Sequence, residues 1–230
     1  MIRSLYSAAS GLVAQSLKQD IIANNIANAQ TAGFKRSRGV SETFSATLNK
    51  ETMRFPDNDR PSYPDSPNSP VLVNTNESID NSQGPIQITG NTTDLAISGS
   101  GYFEVKGTNG TRYTRNGNFN LDNNGYLCTA AGEKVMGDQG EIKVSSANWQ
   151  VAKDGSVISD GQVVNKIKLT GSDASTTQLL QGSIEGSNVS IIREMVGMIS
   201  NMRSYEANQK VITSTDETLG KAVSEVGRVS

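Results

Sequence analysis

From Asn188 to about Val226 the chain contains no proline, and its larger side chains recur at alternating steps of four and three residues. The stripe runs Ile191, Met195, Met198, Met202, Tyr205, Gln209, Ile212, Asp216, Leu219, Val223 and Val226. Nine of these eleven are apolar, which makes the run a heptad seam suited to helix-on-helix packing, with Gln209 and Asp216 as polar interruptions able to fix register. Glu206 with Lys210 and Glu217 with Lys221 add favourable pairs four residues apart. At about 1.5 Å per residue, such a helix exceeds roughly 50 Å, longer than the body of a small domain. An apolar stripe of that length requires partners to cover it.

A second amphipathic helix is expected at the other end, over about Ser4 to Ala29, where Leu5, Tyr6, Ala9, Leu12, Val13, Leu17, Ile21 and Ile26 fall at helical spacing. Gly33 supplies its stop and Phe34 is placed to fold back on the last turn. The end itself reads "NNIANAQTAGFKR", with Asn24, Asn25 and Asn28 close together. Side-chain amides there can cap their own helix or bond to a neighbouring subunit, and local sequence leaves both uses open.

Between the helices lie two regions of different character. Asp57 to Pro70, "DNDRPSYPDSPNSP", has almost no large apolar residue and reads as an extended loop or linker. From Gly84 to Leu169 short alternating runs, "IQI", "LAI", "YFEV", "RYTR", "FNL", "YLC", "KVM", "IKV", "WQV", "SVI" and "KIKL", are separated by turn residues. "TNG" ending at Gly110 and "NNG" ending at Gly125 are hairpin turns, because Asn and Gly tolerate positive φ. The expected fold is therefore mainly β with α: a central all-β domain flanked by long N- and C-terminal helices that pair in a coiled-coil-like layer.

Several functions are disfavoured. Lys and Arg number 21 against 23 Asp and Glu, so there is no basic footprint for nucleic acid or an anionic membrane. Histidine is absent, which removes the commonest general base and zinc ligand. Cys128 is the single cysteine and reads as a small buried hydrophobe. Asn120, Asp122, Asn124 and Gly125 fit the early positions of a calcium loop, but Ala131 stands where a bidentate glutamate is needed, leaving a plain hairpin turn. Asp94, Glu104 and Asp122 could in principle form a glycosidase pair, but carboxylates on a β surface are usually solvated. Neither catalysis, a cofactor nor a metal is expected. No apolar stretch approaches a spanning helix, and "MIRSLYSAASGLVAQ" lacks a continuous signal-peptide core, so neither membrane insertion nor a cleavable signal is expected.

The terminal motifs also carry a resemblance. Asn24, Asn25, Ile26, Ala27, Asn28, Thr31, Gly33, Phe34 and Lys35 resemble the N-terminal signature of bacterial flagellar axial proteins, the rod and hook family of the basal body. "TGNTTDLAISGSGYFEV", "YTRNGNF" and "GYLCTAAGEKVMG" are similar to that family's β-domain core, and "EGSNVSIIREMVGMISNMRSYEANQKVITSTDETL" to its C-terminal helix. Chain size and the first of these stretches favour a rod subunit, of proximal-rod or distal-rod type, over the larger hook protein.

The resemblance implies a structural subunit of the rod, a drive shaft transmitting torque, in which the helices of many subunits pack as concentric layers with β domains outside. It implies self-association in a helical tube, contact with other rod and hook subunits, and passage through the flagellar type III export apparatus without a cleavable signal into a periplasm-spanning rod. No small-molecule substrate or nucleic acid is expected. On this reading residues 1–36 form an N-terminal helix and turn, 37–83 an extended linker, 84–181 the β domain and 182–230 the C-terminal helix. The expected assembly interface comprises Asn24, Asn25, Asn28, Gly33, Phe34, Asn188, Ile191, Met195, Met198, Met202, Tyr205, Ile212 and Leu219. A rival from another class is a secreted β-fold adhesin or fibre module oligomerised by its helices.

Overall fold

A computed structural model of the chain describes residues 2–43, 73–108, 110–144, 149–171 and 177–226. The proline-rich segment from Asp57 to Pro70, read as a linker, lies outside the described residues. Two helices, α1 (Ile2–Ala27) and α2 (Ile191–Val226), stand at the ends of the described chain. Neither is long and apolar enough to cross a membrane. The strands between them are β1 (Ser37–Thr43), β2 (Val73–Ile79), β3 (Ile86–Ile88), β4 (Leu95–Ser98), β5 (Tyr102–Gly107), β6 (Gly110–Thr114), β7 (Phe119–Leu121) and β8 (Leu127–Thr129). They continue as β9 (Lys134–Gly137), β10 (Gly140–Glu141), β11 (Trp149–Val151), β12 (Ser156–Ser159), β13 (Gln162–Lys166), β14 (Leu169–Thr170), β15 (Gln178–Gln181) and β16 (Ser183–Glu185). The mixed composition, helical at both ends and β-rich in the middle, is the one the periodicities predict.

The chain divides into two compact units whose boundaries differ from those read off the sequence. The first takes residues 1–27, 37–80 and 190–230, and the second takes 28–36 and 81–189. Two corrections follow. Residues 28–36, expected to belong with the N-terminal helix, are part of the β-rich unit. So are residues 182–189, expected to open the C-terminal helix: Ser183–Glu185 pairs with Ile86–Ile88, and α2 begins only at Ile191. Ser190 stands just before it, at the N-cap position that hydroxyl residues favour, and Glu194 in the first turn complements the helix dipole.

In the first unit α1 and α2 pack on each other, and β1 and β2 form a seven-residue antiparallel ladder from Ser37↔Ile79 to Thr43↔Val73. This ladder occupies part of the stretch read as extended linker. Its strands, "SRGVSET" and "VNTNESI", have few large apolar residues, so their pairing carries little hydrophobic pattern for a sequence reading to find. Small residues line the buried side of α1: Ala8 and Ala14 are buried, and a Cβ added to Gly11 would sit 3.0 Å from Asn208 Nδ2. Close approach of α2 depends on them.

The second unit is built on a seven-stranded sheet in which β14, β5, β9, β8 and β7 follow in order, with β6 paired to β5 and β10 to β9. β11, β12 and β13 form a separate three-stranded sheet, and β15 pairs with β4. Alternating apolar residues of these short strands meet in one core: Leu95, Ile97, Phe103, Val105, Phe119, Leu127, Val135, Ile142, Val144, Trp149, Val157, Ile167 and Leu179. Phe103 and Phe119 meet edge to face, with centroids 5.1 Å apart at 84°. The "NNG" turn closes β7 to β8 as expected, with Gly125 at φ 81° and its amide bonded to the Asp122 carbonyl at 2.8 Å. "IKV" makes no strand; Lys143 forms one isolated bridge to Tyr126, while Ile142 and Val144 still enter the core. Cys128, expected to be buried, is only half-buried, and its Sγ lies 3.3 Å from the Asn120 carbonyl.

Candidate assembly sites

The amides that end α1 have separate fates. Asn25 is buried within the first unit, where its side chain behaves as a surrogate peptide group. Its Nδ2 donates to the Ser37 carbonyl at 2.8 Å while its Oδ1 accepts the Ser37 amide at 2.9 Å. The same Nδ2 reaches Glu194 Oε2 at 3.2 Å, so one residue holds the end of α1, the start of β1 and the first turn of α2. Asn24 is exposed. Asn28 is half-buried in the second unit, its Oδ1 accepting from the Thr31 hydroxyl at 3.2 Å and its carbonyl from the Thr31 amide at 3.1 Å. Of the two uses left open, Asn25 is spent inside its own chain.

Asn25→Ala is expected to destabilise the first unit by about 1 kcal/mol for each half-buried group left unpaired at Ser37. Asn25→Asp should cost more at neutral pH, because it sets a second carboxylate beside Glu194. Urea unfolding followed by helical circular dichroism at neutral pH tests both; equal losses for Ala and Asp would contradict the contact with Glu194.

In the second unit, residues from three distant motifs converge on Glu185, a carboxylate only 1% exposed. Lys35 Nζ lies 2.7 Å from Oε1, Arg115 Nε lies 2.5 Å from Oε2, and the Gly84 amide donates to Oε1 at 2.9 Å. Two cations share one anion, and the excess positive charge is met by carbonyl dipoles. Lys35 Nζ also donates to the Ser82 carbonyl at 2.8 Å, and Arg115 donates to the carbonyls of Ile97, Gly99 and Gly101. This fan of bonds needs the forked guanidinium and would not be met by lysine. Burial alone would push the Glu185 carboxyl up, but the hydrogen bonds from Arg115, Lys35 and the Gly84 amide outweigh it and hold the group below its ordinary value.

The turn carrying Lys35 lies against backbone. Gly33 donates its amide to the Glu185 carbonyl at 2.7 Å, and a Cβ at its φ of 70° would fall 2.4 Å from the Arg115 carbonyl carbon. Five residues separate Gly33 from the end of α1, so it does not stop the helix as expected; it lets the turn approach the β unit. Phe34 is half-buried, its amide bonded to the Thr31 carbonyl at 3.3 Å. Asn188, expected at an intersubunit face, accepts the Arg36 amide at 2.7 Å and donates to the Ser82 carbonyl at 3.0 Å. It too is engaged within the chain.

Gly33→Ala is expected to cost more than the roughly 1–3 kcal/mol of left-handed strain, because steric overlap is added. Gly90→Ala is the control: φ is 77° there, but nothing lies within 4 Å. Urea midpoints read at Trp149, the only tryptophan, should fall further for Gly33→Ala; equal shifts would contradict the close approach.

The face that α2 turns to α1 is a polar one. Glu194, Asn201 and Asn208 lie on it, each one residue before the expected Met195, Met202 and Gln209. Asn201 Nδ2 donates to the Gln15 carbonyl at 2.8 Å and to Gln19 Oε1 at 2.9 Å. Met198, Ile212 and Leu219 are half-buried, whereas Ile191, Met195, Met202 and Tyr205 are exposed. The polar pairings rotate the helix, and an apolar stripe of Ile192, Met195, Val196, Ile199 and Met202 is left in the open, Ile192 being 78% and Met195 51% exposed.

The carboxylates weighed for catalysis are engaged elsewhere. Asp94 is buried and accepts from the Thr89 hydroxyl at 2.6 Å, Glu104 pairs with Lys168 at 2.9 Å, and Asp122 accepts the Asn123 amide within its turn at 2.6 Å. A groove beside Trp149 has Asp160 as the one carboxylate among its described lining residues, so it holds no acid–base pair.

Three family descriptions match successive parts of the sequence: "Flagella basal body rod protein" over residues 5–35, "Flagellar hook protein FlgE/F/G D1 domain" over 96–165, and "Flagellar basal body rod FlgEFG protein C-terminal" over 180–225. The chain is 34% identical to the flagellar basal-body rod protein FlgG of Buchnera aphidicola, over 96% of this chain and 98% of that one. It is 32% identical to FlgG of Bacillus subtilis, over 97% and 98% of the two chains. Identity is also 32% with the basal-body rod protein FlgF of Caulobacter vibrioides, over the whole of both. Lys35, Arg115 and Glu185 fall one in each matched stretch or at its border.

Proposed function

Since the chain belongs to the flagellar basal-body rod protein family and is a structural subunit rather than an enzyme, we propose that it polymerises through its terminal helices into a tubular shaft that transmits torque for motility. The exposed stripe of Ile192, Met195, Val196, Ile199 and Met202 on α2 carries this reading. A contiguous apolar face on a helix already packed on α1 suits the helices of neighbouring subunits, in a coiled-coil-like layer. Val13 and Leu17 extend exposed apolar surface to α1. Among the amides expected at the interface, Asn24 is exposed, and Asn25, Asn28 and Asn188 hold bonds within the chain. Ile191, Met195, Met202 and Tyr205 are the expected interface residues that stay accessible. Other rod and hook subunits are the partners, and the route outward is the type III apparatus.

The experiment is imaging of intact basal bodies carrying an epitope-tagged copy of the chain. Label along the rod is the expected result. Label confined to the culture fluid or to the cell interior would refute incorporation.

A further inference from the structure

Between α1 and α2 a groove of about 350 Å³ opens beside Gln15, Gln19, Asp20, Asn201, Met202 and Glu206. Asn201 is 4% exposed, and its orientation is fixed from within, since both Nδ2 hydrogens are used on the Gln15 carbonyl and Gln19 Oε1. A flipped amide would set its oxygen against two acceptors. Asn201 Oδ1 is therefore a buried acceptor with no donor, and Gln15 Oε1 is another. Buried acceptors are normally paired, so two in one groove call for a donor from outside the chain. Asp20 and Glu206, lining the same groove, select a donor that is also cationic.

We propose that this groove receives an arginine side chain from a second copy of the chain, its guanidinium donating to Asn201 Oδ1 and Gln15 Oε1 and pairing with Asp20 and Glu206. The proposal rests on the assembly reading above and adds a polar lock to its apolar stripe. A guanidinium offers five donors in a fixed fork and is always charged, which suits two acceptors flanked by two carboxylates better than a single ammonium does. The second copy can supply it: Arg193 and Arg203 are exposed on α2, directly following Ile192 and Met202 of the stripe. A copy that docks through its stripe carries a guanidinium into the interface.

Glu206→Arg, placed in the full chain in the flagellated cell, should leave secreted protein at its usual level and reduce incorporation into basal bodies by about ten-fold or more. Adding Arg193→Glu or Arg203→Glu to the same chain should restore it. Independently, a photo-crosslinking residue at position 202 should capture a peptide of a second copy containing Arg193 or Arg203. Normal incorporation of Glu206→Arg, a defect that neither reversal relieves, or crosslinks that reach only other segments would each overturn the lock. The wild-type chain separates the two readings: its absence from basal bodies would refute assembly itself, whereas its presence alongside equally abundant Glu206→Arg would refute the groove alone.

Discussion

Replacing Glu185 with glutamine is expected to lower the stability of the β-rich unit by about 3–5 kcal/mol, because it strands two buried cations without their counter-charge. The side chain keeps its shape, so the loss would be electrostatic rather than a packing effect. Lys35 and Arg115 are themselves almost fully buried, at 8% and 5% side-chain exposure, and water cannot replace the carboxylate. Trp149 lies in the core of the same unit and reports its unfolding in urea. Lys35→Met should be milder, since Arg115 and the Gly84 amide still hold Glu185. The pH dependence gives an independent check. The folded-state pKa of Glu185 lies below its unfolded value of about 4.3. Its contribution is thus complete above that pH and is lost as the pH falls through the lower folded value. Wild type should lose stability on acidification more steeply than Glu185→Gln, and parallel profiles would show that the cluster does not stabilise the fold.

The cluster also shows where sequence reading stops. Lys35, Arg115 and Glu185 all lie inside motifs that carry the family resemblance, yet they are 70 and 150 residues apart in the pairs they form. No local period predicts such a pairing, and a lone charged residue in a turn or at a strand end reads as solvated. Strands were legible where alternation was strong, as in "KVM" of β9, where buried Val135 stands between half-buried Lys134 and Met136. "QVVNK" went unread as β13 because Val163 and Val164 both lie exposed, so no buried face marks its period. The β1–β2 ladder escaped because backbone pairing and the Asn25 clamp on Ser37, rather than apolar alternation, are its visible supports.

The helices are legible as helices, and the heptad count places Met195 and Met202 among the expected assembly residues. It does not show which side of α2 meets α1. That side carries Glu194 and Asn201, because each finds a specific partner on α1. A buried polar pairing of this kind adds little stability but fixes rotation and register. The apolar residues so displaced become the surface offered outward.

Met195→Asp separates these two faces. If Met195 packed on α1, a carboxylate there would unfold the helix pair of the isolated protein. Met195 is exposed in the chain, and surface substitutions of this sort usually change stability by no more than about 0.5 kcal/mol. Purified Met195→Asp should therefore keep wild-type helicity and a wild-type urea midpoint, and its secretion should be unaffected. In the shaft the same carboxylate would be driven into an apolar contact, and an unpaired charge buried there is prohibitive. Every subunit carries the substitution, so the defect recurs at each interface and completed basal bodies should be absent. Met195→Leu conserves volume and apolarity and should assemble. Loss of helicity in the purified Asp variant would place Met195 in the inner contact with α1, and normal motility would show that this face of α2 meets no neighbour.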